Sequence, residues 1–113
     1  MQANAQHAHR HQDISPLAAS EARGTALLID VREPLELAGE LGHIPGATLV
    51  PLGTLERHLG SWDQASVVIL ICRSGSRSTW AAQTLPRAGF RHVMNMAGGM
   101  IASTAAKLPI ATT

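Results

Sequence analysis

The segment VVILICRSGSRS, residues 67–78, places the only cysteine of the chain between an apolar stretch and a polar loop. Cys72 follows five aliphatic residues, and the next six residues comprise two arginines, three serines and one glycine. A continuous aliphatic run predicts a strand that is buried on both faces, which would hold the sulfur atom rigidly. The small residues that follow favour a tight turn whose backbone N–H groups point inward and bind an anion.

The same loop contains groups that stabilise a thiolate. Arg73 and Arg77 carry positive charge, Gly75 permits a positive φ, and a helix beginning near Ser78 would add the positive end of its dipole. A free cysteine has a pKa of about 8.5, and comparable settings lower it to between about 3.5 and 7.5. We therefore predict that Cys72 is a nucleophile that attacks, or carries, a group bound as an anion. The alternative is that Cys72 is only a small buried hydrophobic residue, which the composition of the loop disfavours.

Two kinds of anion chemistry compete for such a loop. Tyrosine-type phosphatases form a cysteinyl phosphate, and their signature places an arginine six residues after the cysteine. Here position six is Ser78 and Arg77 comes at position five, so the arc is one residue shorter. A shorter arc suits a smaller, sulfur-centred group. The spacing therefore favours sulfane-sulfur transfer over arsenate or phosphate-ester chemistry.

The composition of the chain argues against several other classes of protein. Its 113 residues fit one domain, and 45% hydrophobic against 15% charged residues allow a sizeable core. A net charge of +1 without a long run of one sign argues against nucleic acid as a principal partner. A single cysteine excludes an internal disulfide framework and a cysteine-based zinc site. No metal or organic cofactor is indicated.

The N-terminal sequence and the length of the apolar runs indicate the cellular location of the protein. The N-terminus lacks a charged start followed by an apolar run, and the longest apolar run, 67–72, is far shorter than a membrane span. We therefore expect a soluble, cytoplasmic protein with no membrane span. Residues 1–12, in which His7, His9 and His11 alternate, are expected to form a disordered tail, followed by one domain at 13–110 and a tail at 111–113.

Short strands that alternate with helices predict an α/β domain with a mainly parallel sheet of four or five strands. Ser15 is the expected N-cap of the first helix, order is expected to begin near Ile14, and Pro109 is expected to end the ordered chain. Cys72 follows the most central strand at its carboxyl end, where open parallel sheets bind ligands. The predicted strands are 26–31, 47–50, 67–72 and 91–94, and the predicted helices are 16–23, 34–39, 53–59, 78–88 and 100–107.

Several motifs in this order resemble the single-domain rhodanese family, proteins of the thiosulfate sulfurtransferase type. The resemblance extends from about residue 14 to residue 110, and it implies a rhodanese-like α/β fold with a five-stranded parallel sheet. The matching segments are LLIDVREPLEL (27–37), GHIPGATLVPL (42–52), VVILICRSGSRS (67–78), AAQTLPRAGFRHV (81–93) and NMAGGM (95–100).

The resemblance also implies a reaction. Cys72 would take a sulfur atom from a small anionic donor such as thiosulfate, and would pass it from the resulting persulfide to cyanide or to a thiol, on a protein or otherwise. Two alternatives stay open: a protein-to-protein sulfur carrier or thiol-redox partner without significant thiosulfate activity, and a non-catalytic regulatory module, which the presence of Cys72 disfavours. The residues expected to surround the donor and the persulfide are Arg73, Ser74, Gly75, Ser76, Arg77 and Ser78.

The other matching motifs are expected to support the site. Asp30 and Arg32 match the DVR motif, and we expect them to hold the strand ends and the loop together rather than to contact substrate. His43, in the GHIPGA motif, is expected to stabilise a turn rather than to act as a general base. One position departs from the family, which usually has an aromatic residue shortly after the Gly-Gly turn, where this chain has residues 101–104 (IAST). Either the last helix docks less firmly, or Trp80 fills the space.

Overall fold

The aliphatic run that predicts a central strand forms β4, Val67–Ile71. The computed structural model describes residues 11–111, in which β4 is the middle strand of a five-stranded sheet. The other strands are β1 (Gln12–Ile14), β2 (Leu27–Asp30), β3 (Thr48–Leu49) and β5 (His92–Met96). They lie in the order β1-β5-β4-β2-β3, and every neighbouring pair is parallel. The predicted α/β fold with a five-stranded parallel sheet is confirmed.

Residues 11–111 form five α-helices, of which four connect successive strands and the fifth follows β5. Ser15 caps the first of them, since its hydroxyl accepts a hydrogen bond of 3.1 Å from the N–H of Ala18. Within residues 11–111 no helix has both the length and the apolar character needed to cross a membrane. The helices are α1 (Pro16–Glu21), α2 (Pro34–Leu37), α3 (Leu55–His58, between the 3₁₀ turns Leu52–Thr54 and Leu59–Ser61), α4 (Ser76–Arg87) and α5 (Gly99–Ala105).

Both faces of β4 are buried because successive side chains of a strand point to opposite sides of the sheet. Val68 and Leu70 belong to a core cluster with residues of α4, and Cys72 lies in the same cluster. Ile69 and Ile71 belong to a second cluster with residues of α1 and α5. The strand that precedes Cys72 is therefore fixed by packing from two layers of helices, as the apolar run predicts.

Several predicted boundaries are wrong for reasons that involve distant partners. Strand β1 was not indicated by the sequence pattern. It forms because residues 12–14 pair with residues 94–96. The same pairing extends β5 beyond its predicted end at residue 94. Ala111 exchanges two backbone hydrogen bonds of 2.8 and 2.7 Å with His43, so order does not end at Pro109. His7 and His9 of the predicted tail lie outside the described residues, and the remaining helices and strands differ from their predicted ends by a few residues.

Trp80 does not fill the space beside the last helix. Its side chain is 57% exposed, on a helix that packs against the Val68 face of the sheet. Helix α5 packs on the opposite face, where Met100 contacts the cluster that contains Ile71. The two helices are on opposite sides of the sheet, so a side chain of α4 cannot replace an aromatic residue on α5.

Candidate active site

The backbone at the carboxyl end of β4 is held by the first turn of α5. The N–H of Met100 donates to the carbonyl oxygen of Cys72 at 2.8 Å, and the N–H of Ile101 donates to that of Arg73 at 3.0 Å. This close approach requires glycine at position 99, because a Cβ on Gly99 would lie 2.5 Å from the Cys72 oxygen. Donors that are free at the start of a helix thus fix the residue that carries the sulfur.

Hydrogen-bond donors surround the sulfur of Cys72, a residue that is 0% exposed. The N–H of Gly75 donates to Sγ at 3.0 Å, and the Ser78 hydroxyl oxygen lies 3.3 Å from Sγ. Gly75 is the N-cap of α4 and has φ of +109°, a left-handed conformation that glycine adopts without strain. The positive φ of Gly75 turns the chain back toward Cys72, so the backbone N–H of Gly75 points at Sγ.

These donors set the ionisation of the thiol. Burial of Cys72 raises the pKa of its thiol. The Ser78 hydroxyl and the backbone N–H groups of Ser78, Gly75 and Ser74 lower the pKa by more in total, so the pKa of this thiol lies below its ordinary value. Hydrogen bonds to the charged form stabilise the thiolate, which is the nucleophilic form of cysteine.

Arg77 makes a bidentate ion pair with Glu36 of α2. Its two terminal nitrogens donate to the two carboxylate oxygens at 2.6 and 2.8 Å, and both side chains are partly exposed. The Arg77 side chain holds the pKa of the Glu36 carboxyl at about 2, and Glu36 in turn raises the pKa of Arg77. From the sequence, we expect the positive charge of Arg77 to bind an anionic donor. In the structure the carboxylate of Glu36 offsets part of that charge.

Arg73 lies on the outside of the loop and is exposed. Among the ion pairs of residues 11–111, none includes its guanidinium group. Ser74 and Ser76 are exposed beside it, whereas Gly75 and Ser78 are buried. The loop thus exposes Arg73 and two serines to solvent, and it keeps Gly75 and the Ser78 hydroxyl buried beside the sulfur.

Asp30 and Arg32 form a buried ion pair behind this loop, and each side chain is 1% exposed. Arg32 donates from Nε and Nη2 to the two Asp30 oxygens at 2.9 and 2.8 Å. Its Nη2 also donates to the carbonyl oxygen of Gly42 at 2.7 Å, and Nη1 to that of Glu36 at 3.4 Å. The pair therefore joins the end of β2 to the helix that carries the partner of Arg77.

His43 lies in the segment between α2 and β3. Its Nδ1 is 3.3 Å from the carbonyl oxygen of Leu37, and its backbone pairs with that of Ala111. The side chain is partly buried among backbone groups of these segments. Its contacts connect α2 to the C-terminal segment, and the structure does not bring it to the sulfur.

Asn95 is a site residue that the sequence reasoning missed. It is buried in β5, and its Oδ1 accepts a short hydrogen bond from the Ser78 hydroxyl. Its Nδ2 donates to Oδ1 of Asp13 at 3.2 Å. A polar residue between Met94 and Met96 was the available signal, but the predicted strand ended one residue before it.

A groove of about 560 Å³ lies beside the loop. Leu52, Leu55 and Trp80 form its apolar walls, and Ser76 and Arg77 form its edge on the loop side. The exposed indole is thus part of a concave surface next to the site rather than an isolated surface side chain.

Comparison with known proteins agrees with this geometry. The family model described as "Rhodanese-like domain" matches residues 14–106. The chain belongs to the rhodanese-like family. The match includes β2, the loop after Cys72 and the start of α5, which are the segments that build the site.

Individual relatives of this rhodanese-like domain are similar over most of their length or over one part of it. A protein of Allochromatium vinosum named "Sulfurtransferase" is 37% identical over 84 residues, which are 74% of this chain and 77% of that protein. The "Putative sulfur carrier protein YrkF" of Bacillus subtilis is 40% identical over 73 residues, which are 65% of this chain but only 38% of YrkF.

Solved structures share the fold. A polysulfide-sulfur transferase homodimer from Wolinella succinogenes has a TM-score of 0.76 and 29% identity, covering 95% of this chain and 83% of that one. A rhodanese-related protein from Thermoplasma volcanium has a TM-score of 0.81 and 23% identity, covering 91% of this chain and 100% of that one. The second likeness concerns the fold alone.

Proposed function

We propose that this rhodanese-like domain transfers sulfane sulfur through a persulfide on Cys72. The observation that carries the proposal is the buried sulfur at the end of β4, toward which the N–H of Gly75 donates at 3.0 Å. Hydrogen bonds that stabilise a thiolate prepare it for nucleophilic attack. The relatives named as a sulfurtransferase, a sulfur carrier and a polysulfide-sulfur transferase support the same class of reaction.

With thiosulfate as the donor, the reaction has two displacement steps. The Cys72 thiolate attacks the outer sulfur of thiosulfate, a new S–S bond forms, and the original S–S bond breaks so that sulfite leaves with the electron pair. The acceptor, cyanide or another thiophile, then attacks the outer sulfur of the persulfide. The Cys72 thiolate leaves with the electron pair, so the enzyme returns to its starting state and no outside oxidant or reductant is consumed.

The loop residues have separate roles in this proposal. Arg73, exposed on the outside of the loop, attracts the anionic donor. The amides of residues 73–78 surround the outer sulfur of the persulfide, which carries the negative charge. Asp30, Arg32 and His43 contact backbone and carboxylate groups away from the sulfur, and we assign them support of the loop and of α2.

A second candidate is a sulfur carrier that takes its sulfur from the persulfide of another thiol, on a protein or otherwise. The Arg77–Glu36 pair favours it, because Glu36 offsets one of the two arginine charges that a thiosulfate dianion would use. The groove walls formed by Leu52, Leu55 and Trp80 also offer apolar contacts that an organic thiol uses and an inorganic anion does not.

Intact mass distinguishes these proposals. The reduced protein and Cys72→Ser are each incubated with excess thiosulfate and, separately, with glutathione persulfide. Gain of one sulfur atom from both donors by the parent alone supports the thiosulfate reaction, and a gain from glutathione persulfide alone supports the carrier. No gain from either donor, or an equal gain by Cys72→Ser, would overturn persulfide formation on Cys72.

A further inference from the structure

The Ser78 hydroxyl has one proton and three acceptors within reach. Its oxygen lies 3.3 Å from Sγ of Cys72 and 3.2 Å from the carbonyl oxygen of Gly75, and its shortest contact is with Oδ1 of Asn95. Ser78 is 0% exposed, so bulk water does not compete for the proton. A hydroxyl donates one hydrogen bond and accepts others through its lone pairs, so these three groups compete for one donor.

Asp13 fixes the orientation of the Asn95 amide. The two residues are register partners in the β1–β5 pair, and Nδ2 of Asn95 donates to Oδ1 of Asp13 at 3.2 Å. A carboxylate can only accept, so a reversed amide would direct its oxygen at another acceptor. Asn95 therefore presents its carbonyl oxygen to Ser78. Because Asn95 is 4% exposed, this acceptor depends on the Ser78 proton for its hydrogen bond.

We propose that Asn95 is a positioning residue that draws the Ser78 proton away from the sulfur of Cys72. In the thiol state the Cys72 S–H donates to the Ser78 oxygen, whose own proton points to Asn95. When Cys72 loses its proton, the Ser78 hydroxyl turns and donates to the thiolate, and Asn95 loses its donor. The thiolate thus forms in competition with Asn95.

The same competition favours the persulfide, a step that rests on the proposed function. Once Sγ is bonded to a second sulfur, the negative charge lies on the outer atom and Sγ no longer needs the Ser78 proton. The hydroxyl then returns to Asn95 and restores a hydrogen bond that the thiolate state lacks. Asn95 therefore stabilises the thiol and the persulfide relative to the thiolate.

The charged groups around Cys72 are separate from this contact. Arg77 of α4 is close enough to interact with the charge of Cys72 and is paired with Glu36 of α2. Asp30 at the end of β2 is paired with Arg32, and Arg73 lies in the loop. Asp13 on β1 has Oδ1 at 3.9 Å from Nε2 of His11, and its side chain is 66% exposed, so water can solvate it when Asn95 is replaced. Replacing Asn95 by an apolar residue therefore changes the acceptor of Ser78 and leaves these charges in place.

The test is the pH profile of Cys72 alkylation by iodoacetamide in the full chain. Asn95→Leu should move the apparent pKa of the thiol down by about 0.5–1 unit, the equivalent of one net hydrogen bond. Ser78→Ala should move it up. In the Ser78→Ala background, Asn95→Leu should produce no further shift, because the hydroxyl through which it acts is absent. Asn95→Ala removes the same oxygen without adding bulk, and the same downward shift is expected if the leucine variant does not fold.

An upward shift or no shift in a folded Asn95 variant would overturn the proposal, and so would an equal downward shift with and without Ser78. Loss of packing alone does not predict a downward shift that depends on Ser78. Alkylation requires no sulfur donor, so this result is independent of the mass experiment. Failure to form a persulfide would overturn the proposed function, whereas an unchanged alkylation profile would overturn the role of Asn95.

Discussion

Arg77 and Glu36 are joined by two hydrogen bonds of 2.6 and 2.8 Å, although 41 residues separate them in sequence. Glu36 is in turn positioned by Arg32, which donates to its backbone oxygen at 3.4 Å and to both oxygens of Asp30. A continuous set of polar contacts thus leads from the buried end of β2 to the loop that follows Cys72. The loop is positioned from two sides, by these ion pairs and by the first turn of α5.

Removing the charge of Glu36 should make the site a better receptor for anions. In Glu36→Gln, Arg77 loses its counter-charge and becomes available to thiosulfate. The donor concentration for half-maximal persulfide formation should fall roughly 2–5-fold, the equivalent of about 0.5–1 kcal/mol at a solvated pair. Rapid quenching and intact mass measure this concentration. Glu21→Gln, an exposed carboxylate on α1, is the matched control and should change nothing. An unchanged or higher concentration in Glu36→Gln would show that Arg77 does not contact the donor.

The same ion pair should appear in the acid dependence of stability. Glu36 has a pKa of about 2 in the folded protein against an ordinary 4.5, chiefly because Arg77 donates to its ionised form. As pH falls, Glu36 therefore binds a proton in the unfolded chain before it does so in the folded protein. Its contribution to the free energy of unfolding is complete above about pH 4.5 and is lost as pH falls toward 2. Urea unfolding between pH 2 and 7 gives the free energy of unfolding at each pH, and its decrease toward low pH should be smaller in Glu36→Gln than in the parent. Arg77→Met should reduce this decrease by the same amount. An equal decrease in all three proteins would show that the Arg77–Glu36 pair does not contribute to the pH dependence of stability.

Gly75→Ala should damage the site through backbone conformation alone. A Cβ at this position meets only the N of Gly98, at 3.6 Å, which is an ordinary contact, but φ of +109° is unfavourable for alanine. Relaxation of the turn withdraws the amide from Sγ, so the apparent pKa of Cys72 should rise and persulfide formation should slow. The cost of a left-handed residue is about 1–2 kcal/mol. Gly24→Ala, with φ of +87° and open space around it, is the control, since it should lower stability similarly and leave the alkylation profile unchanged. Equal alkylation profiles for the two variants would contradict the role of the Gly75 amide.

Local patterns in the sequence were sufficient for the centre of the fold. The aliphatic run predicts β4 because a strand buried on both faces needs apolar residues at every position, and the position of Cys72 at its carboxyl end follows directly. The small residues after it predict a turn that directs an amide at the sulfur, and the structure shows this amide at Gly75. Each of these features depends on neighbours a few residues apart, which a single sequence displays.

The features that were not predicted depend on distant partners. Strand β1 has no apolar alternation of its own and is defined by pairing with β5. Asn95 and Asp13 are 82 residues apart, and no local pattern indicates that they meet. Arg77 follows a cysteine in the manner of an anion-binding residue, and only the folded chain shows that Glu36 occupies its guanidinium group. Sequence thus indicated Cys72 as the candidate nucleophile, whereas the groups that surround its sulfur required the tertiary structure.

Breaking the buried ion pair should have the largest effect on stability. Arg32→Leu leaves the Asp30 carboxylate, which is 1% exposed, without its counter-charge and removes the contact with the Gly42 oxygen. Loss of one partner of a buried pair costs about 3–5 kcal/mol.

The double variant Asp30→Leu/Arg32→Leu should be less destabilised than Arg32→Leu, because it leaves no buried charge unpaired. Urea unfolding measures both. The control is Arg23→Leu, whose Nε donates to the Ser20 oxygen at a partly exposed position and which should cost far less. Equal costs for the single and double variants would show that the penalty arises from lost packing and backbone contacts of Arg32. A smaller cost in the double variant identifies the uncompensated Asp30 charge as the main cause of the lost stability.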